Sequence, residues 1–146
     1  DVSPGMLEKL REKAAGLGFT NVETLRHDLA GRPLEGRNFD AILTAMALHH
    51  VRDVPTVLKR FRELLAPGGV AMIADLDHED GSFHPDMTGV EHHGFRREWL
   101  LNALWDAGFR MIQIDTAHIV EKPSAFDGGL RRYPIFFMAA RIRPGR

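Results

Sequence analysis

None of the 146 residues is cysteine, which excludes disulfides and thiolate metal sites and suits a reducing compartment. An excess of either charge is missing too: 19 basic and 20 acidic side chains leave a formal charge of −1. Such a balance provides no strong field for nucleic acid or acidic lipid. No apolar run approaches the roughly 20 residues that a bilayer crossing needs, and no stretch has the build of a signal peptide. The expectation is a cytoplasmic protein without nucleic-acid or membrane partners. Methionine does not stand first; Asp1 does, so the chain is expected to be a processed or truncated product. Its length suffices for one domain with a real core.

What is present alternates between helical and extended periods. Ser3 can cap a helix opened by Pro4, with Leu7, Leu10, Ala14 and Leu17 at helical spacing and Gly16 or Gly18 as its end. "NVETLRHDLA" predicts a short strand with Val22 and Leu25, closing on Asp28, and "GRPLEGRN" a loop. "FDAILTAMALHH" predicts a buried strand around Ala41, Ile42 and Leu43 that turns polar at its two histidines. Asp53 caps a helix with Val57, Leu58, Phe61, Leu64 and Leu65 on one face, ended by Pro67-Gly68-Gly69.

"VAMIADL" predicts another buried strand, followed by a polar loop of about 18 residues, a length that points to function or disorder. A helix from Arg96 to Ala107 turns Leu100, Ala103, Leu104 and Ala107 inward, with Gly108 as its stop. "FRMIQIDTAHIV" and "PIFFMAARI" close the chain as two strands. The order implies an α/β, doubly wound, Rossmann-like sheet, mainly parallel and covered on both faces, with an antiparallel strand pair at its C-terminal end.

"DVSPGML", "FDAILTAMALHHVRD", "LAPGG" and "WDAGF", in that order and spacing, resemble the class I S-adenosylmethionine-dependent methyltransferases, the small single-domain type acting on small molecules. The resemblance runs from Asp1 to about Ile142 and implies S-adenosylmethionine as cofactor. It implies that Asp1 binds the ribose hydroxyls, since a carboxylate only accepts hydrogen bonds. Met6 matches an apolar side chain near the adenine. Asp28 matches the group taking the adenine amine, and Leu29 the backbone N–H that meets the ring. Thr44, Ala45 and Met46 match backbone along the methionine portion, where ligands of doubly wound sheets sit. Leu48, His49 and His50 match the residues under the transferred methyl, with His50 implied as catalytic.

Each assignment has a plainer alternative: a solvated Asp1, a core Met6, a capping Asp28, and a His49-His50 pair satisfied at the start of a helix. The polar loop carries His78, His84, His92 and His93 among carboxylates. No pair there shows the i, i+4 spacing of a helical metal site, so no metal is expected. His93 or His92 is a candidate base in a loop that covers the substrate. Arg131, Arg132, Arg141, Arg143 and Arg146 are expected to form a solvated edge rather than a nucleic-acid patch.

One part of the family's pattern is not in the chain. Gly16-Leu17-Gly18, Pro67-Gly68-Gly69 and Gly128-Gly129 do not follow a first strand and open a helix ahead of Asp1. The family's sheet order would then leave a gap near 14 Å, about three strand spacings, between "NVETLRH" and "FDAILTA". The strand beside that gap would present unpaired N–H and C=O groups. The expectation is therefore one incomplete methyltransferase domain over residues 1–146, the C-terminal portion of a longer enzyme, binding cofactor weakly. The alternative is a non-catalytic assembly module, such as an edge-paired or swapped homodimer.

Overall fold

A computed structural model describes residues 1–143. Helix α1 spans Pro4–Gly16, capped by the Ser3 hydroxyl, which accepts from the Met6 N–H at 3.3 Å. Strand β1 (Phe39–Ala45) leads through a single turn of 3₁₀ helix (Leu48–His50) to α2 (Val54–Leu64). Strand β2 covers Leu65–Leu76, α3 Arg97–Asp106, β3 Arg110–Pro123 and β4 Leu130–Arg141. The sheet order is β1-β2-β4-β3. β1 and β2 pair in parallel, while β4 runs antiparallel to both β2 and β3. Three strands thus share one direction and β4 alone is reversed, a mixed sheet that includes the expected antiparallel pair at the C-terminal end.

Asp53 begins α2 as expected, its carboxylate accepting from the Thr56 N–H at 3.0 Å. The apolar faces of α2 and α3 then meet the sheet over a core that includes Leu58, Leu100, Leu104, Phe109 and Phe136, all fully buried. Along β2, Ala71, Ile73 and Asp75 are buried, whereas Val70, Met72 and Ala74 on the opposite face are half-buried. The expected cover on both faces is therefore complete on one. Gly69 lets β1 and β2 approach: a Cβ there would lie 2.9 Å from the Ala66 carbonyl and 3.1 Å from that of Asp40.

Three expectations change near the N-terminus. Residues 21–28 form no strand. Apart from a local turn in which the Asp28 carbonyl accepts from Arg32 at 3.1 Å, their backbone pairs with Asp1, whose N–H reaches the Leu25 carbonyl at 3.2 Å and whose carbonyl accepts from His27 at 3.0 Å. A strand is defined by its neighbours, and one residue of partner does not make a ladder. Leu10 and Leu17, expected inward, are 44% and 60% exposed, because no sheet lies beneath that face of α1. β1 is an edge strand: Ile42 and Thr44 are partly buried, while Ala41, Leu43 and Ala45 are exposed. Between residues 23–29 and β1 runs a groove of about 600 Å³, floored by Phe61 and Leu64 and reached by Leu7 and Leu10 of α1. The two segments that were expected not to pair do not pair.

Candidate active site

The carboxyl ends of β1 and β2 gather the histidines. Met46, just past β1, holds a left-handed φ of +51° while its N–H donates to the Ala74 carbonyl at 2.8 Å. That conformation is uncommon for a side chain without a special reason, and such outliers concentrate at functional sites. It turns the chain sharply into Leu48-His49-His50. There Asp75, fully buried at the end of β2, takes charge of the turn. Its carboxylate accepts from the backbone N–H groups of Leu48 (2.9 Å), His49 (3.3 Å) and Leu76 (2.8 Å). It also meets His49 Nδ1 at 2.6 Å. A carboxylate accepts only, so Nδ1 is the donor to Asp75, and the lone pair of the uncharged tautomer falls on Nε2.

Around this anchor, His50 Nδ1 donates to the Gly89 carbonyl at 2.7 Å, which leaves its Nε2 the free nitrogen. His84, from the long loop, lays its ring 5.0 Å from His49 and 5.7 Å from His50, centroid to centroid. Burial, then the neighbouring His49, His50 and Lys122, holds the His84 imidazole below its ordinary pKa and so neutral. The Nε2 atoms of His49 and His84 are buried without a hydrogen-bond partner.

The loop is not loose. The carbonyl of His49 accepts from the N–H groups of Glu91 and His92, both at 3.0 Å. Arg97 forks onto Asp77 at 2.6 and 2.5 Å, and the pair holds its guanidinium above the ordinary range. Ser82 Oγ and the Tyr133 hydroxyl, both buried, lie 2.9 Å apart. These bonds hold the loop against the carboxyl ends of β1 and β2.

Of the two candidate bases in this region, His50 belongs to the cluster and His93 does not. His93 is exposed, its ring against Gly81, where a Cβ would fall 2.8 Å from Cε1. His92 Nε2 is tied to the Val51 carbonyl at 2.9 Å. The cofactor candidates divide between two walls. Asp1 and Leu29 line the groove on one side. Asp28 stands beside them, its Oδ1 accepting from Ala30 N–H at 3.0 Å, and Met6 is 55% exposed on α1. Thr44, Ala45, Met46 and His49 stand at the other wall's end and do not line the groove.

In the sequence Asp75 and His84 stood out only as members of the polar loop's group of histidines and carboxylates, not as neighbours of His49 and His50. The alternation in "VAMIADL" carried a signal for Asp75, since it puts a carboxylate on the face of Ala71 and Ile73. His84 had none, because its neighbours come from a distant turn. Arg131 and Arg132, expected to be merely solvated, pair with Asp80, Asp127 and Glu121. Arg146 lies outside the described residues.

A methyltransferase-domain family model matches residues 1–71. A Schizosaccharomyces pombe protein described as an uncharacterized methyltransferase is 30% identical over 140 residues, covering 86% of this chain and 48% of its own length. A solved SAM-dependent methyltransferase from Aquifex aeolicus superposes with a TM-score of 0.65 at 25% identity, covering 97% of this chain and 66% of that one. These matches support a class I S-adenosylmethionine-dependent methyltransferase.

Two further likenesses cover less of the sequence or share the fold alone. The demethylmenaquinone methyltransferase of Bacillus subtilis is 33% identical over 95 residues, which is 65% of this chain and 38% of the relative. YcgJ of Bacillus subtilis shares the fold, with a TM-score of 0.77 at 12% identity over 99% of this chain and 81% of its own. The chain spans about half the length, or less, of these curated relatives. S-adenosylmethionine is the family's cofactor, and the donor set here suits it. Asp1 and Asp28 each spend one carboxylate oxygen on a local backbone N–H. The other oxygen of each remains to accept from the hydroxyls and amine of a nucleoside.

Proposed function

We propose that this chain supplies the acceptor side and two cofactor walls of a methyltransferase for a small molecule. The observation that carries the reading is the convergence, at the carboxyl ends of β1 and β2, of the strained Met46 turn and the Asp75-anchored histidines. When bound, the cofactor supplies a methyl on a sulfonium, already activated for displacement. Asp1 and Asp28 would accept from its nucleoside, with Met6 and the Leu29 backbone beside the base. The Thr44–Met46 backbone and His49 would flank its amino-acid end. Asp75 keeps the histidine turn rigid, the work that alignment in a group transfer demands. His50, exposed and with Nε2 free, is the base for the acceptor's proton, and His93 is a second base for an acceptor bound under the loop.

The two cofactor walls are separated by the open groove, so the 146-residue chain should bind cofactor weakly, with Kd in the millimolar range, equivalent to about −4 kcal/mol. Calorimetric titration with S-adenosylhomocysteine tests this, with Asp28→Ala expected to abolish the residual heat. Micromolar affinity would refute the weak binding. Affinity untouched by both Asp1→Asn and Asp28→Ala would refute the wall assignment.

A second reading has its own observation. β1 presents an unpaired edge with Leu43 66% exposed, the kind of edge that pairs with another strand. A second copy docking there would make the chain an assembly module. Sedimentation analysis decides it: a dimer dispersed by Leu43→Lys supports the module, and a monomer at high concentration excludes it.

A further inference from the structure

We propose that His49, His50 and His84 form a three-imidazole site for a divalent transition-metal ion of the zinc class. One ring nitrogen of each lies within 4.8 Å of those of the other two. Both rings of the 3₁₀ turn have the tautomer that ligation requires. Asp75 takes the Nδ1 proton of His49, and the Gly89 carbonyl takes that of His50. Their Nε2 lone pairs are thereby left free. A carboxylate behind a ligating imidazole, itself pinned by three backbone N–H groups, is the support that orients a metal-binding histidine.

The third ring closes the argument. His84 comes from a different segment, yet its Nε2 is buried and unpartnered, as is that of His49. Two buried ring nitrogens without a partner are costly to keep, and a cation between them would satisfy both at once. Tetrahedral zinc with Zn–N of 2.0–2.1 Å sets its ligand nitrogens about 3.3 Å apart, so the triad must close by about 1.5 Å at its widest. His84 can supply that movement through its side-chain torsions, since no hydrogen bond holds its Nε2. Three nitrogen ligands without cysteine suit zinc and its neighbours, and they leave a fourth position open, as reactive zinc sites do. Spacing along the chain hid the site, because the ligands come from two segments and show no i, i+4 pair.

Metal binding by the triad does not depend on methyl transfer. If the reading above also holds, the loaded site would use the His50 lone pair as a ligand. The acceptor oxygen would then meet the cation's open position, where its proton is more easily lost.

The test is metal binding by the chain alone, without cofactor. Protein stripped with a chelator is titrated with Co(II), followed in the visible, and then back-titrated with Zn(II). The expected result is one equivalent per chain, tetrahedral-type Co(II) bands, and micromolar or tighter zinc. His84→Ala and His50→Ala should each weaken binding by more than about tenfold, with the exposed strand residue His118→Ala as the unchanged control. Circular dichroism of the metal-free variants guards against misfolding, and His84→Ala, on the loop, decides if His49→Ala unfolds. Less than a tenth of an equivalent bound at 100 micromolar zinc overturns the proposal. So does an affinity that survives His84→Ala and His50→Ala unchanged. Failure of the cofactor titration leaves this result standing, so the two readings fail separately.

Discussion

The half of the molecule built from α2, α3, β2 and β4 and the segment from α1 to residue 38 obey the same periodicity but reach different ends. In the first, Leu58, Leu100, Leu104, Phe109 and Phe136 are sealed from solvent. In the second, Leu10, Leu17, Phe19, Val22 and Leu25 stay between 39% and 60% exposed. The difference is the partner. Helices α2 and α3 lie on paired strands, whereas the N-terminal segment faces a groove and touches strand-like backbone only through Asp1. Apolar spacing prepares a face for burial, and a second surface is needed to bury it.

Substitutions can sharpen this contrast. Phe136→Ala should cost about 4 kcal/mol of unfolding free energy, because a fully buried ring leaves a cavity under two helices. Urea denaturation checks it, and a loss under 1 kcal/mol would mean that this half is not the core. Asp75→Ala follows at about 3 kcal/mol, since it strands His49 and three backbone N–H groups in a dry site. Asp75→Asn should recover part of that loss, as an amide oxygen still accepts.

Smaller effects lie at the helix start and across the groove. Asp53→Ala removes the α2 cap and should lower stability by about 1 kcal/mol, read as a drop in melting temperature. Leu17→Ala should stay within about 0.5 kcal/mol, since its side chain is already in water. A Leu17→Ala effect as large as that of Asp53→Ala would erase the contrast between the halves.

Legibility in the sequence followed the same divide. The α2 cap and its Val57, Leu58, Phe61, Leu64 face were readable because both signals are local. So were the Arg97–Asp106 helix and the closing antiparallel strands. Residues 21–28 misled because Val22 and Leu25 have strand-like chemistry but no ladder to join. β1 was expected to be buried, yet its exposed face depends on what stands beside it, and periodicity does not encode that. In the site, His49 and His50 were visible as a pair, while the reason for their orientation, Asp75, was hidden in an apolar strand. His84 was one histidine among several until the loop folded it against them.

Native-state hydrogen exchange followed residue by residue tests the central contrast most directly. The account predicts that amides of β2 and β4 facing one another, such as those around Ala71, Ile73 and Met138, exchange only through global unfolding. Amides of residues 19–38 should exchange with little protection, apart from the few that donate locally or to Asp1, namely those of Phe19, His27, Ala30 and Arg32. Protection of residues 21–27 equal to that of β2 would contradict it, because such protection requires a ladder partner that the groove does not provide.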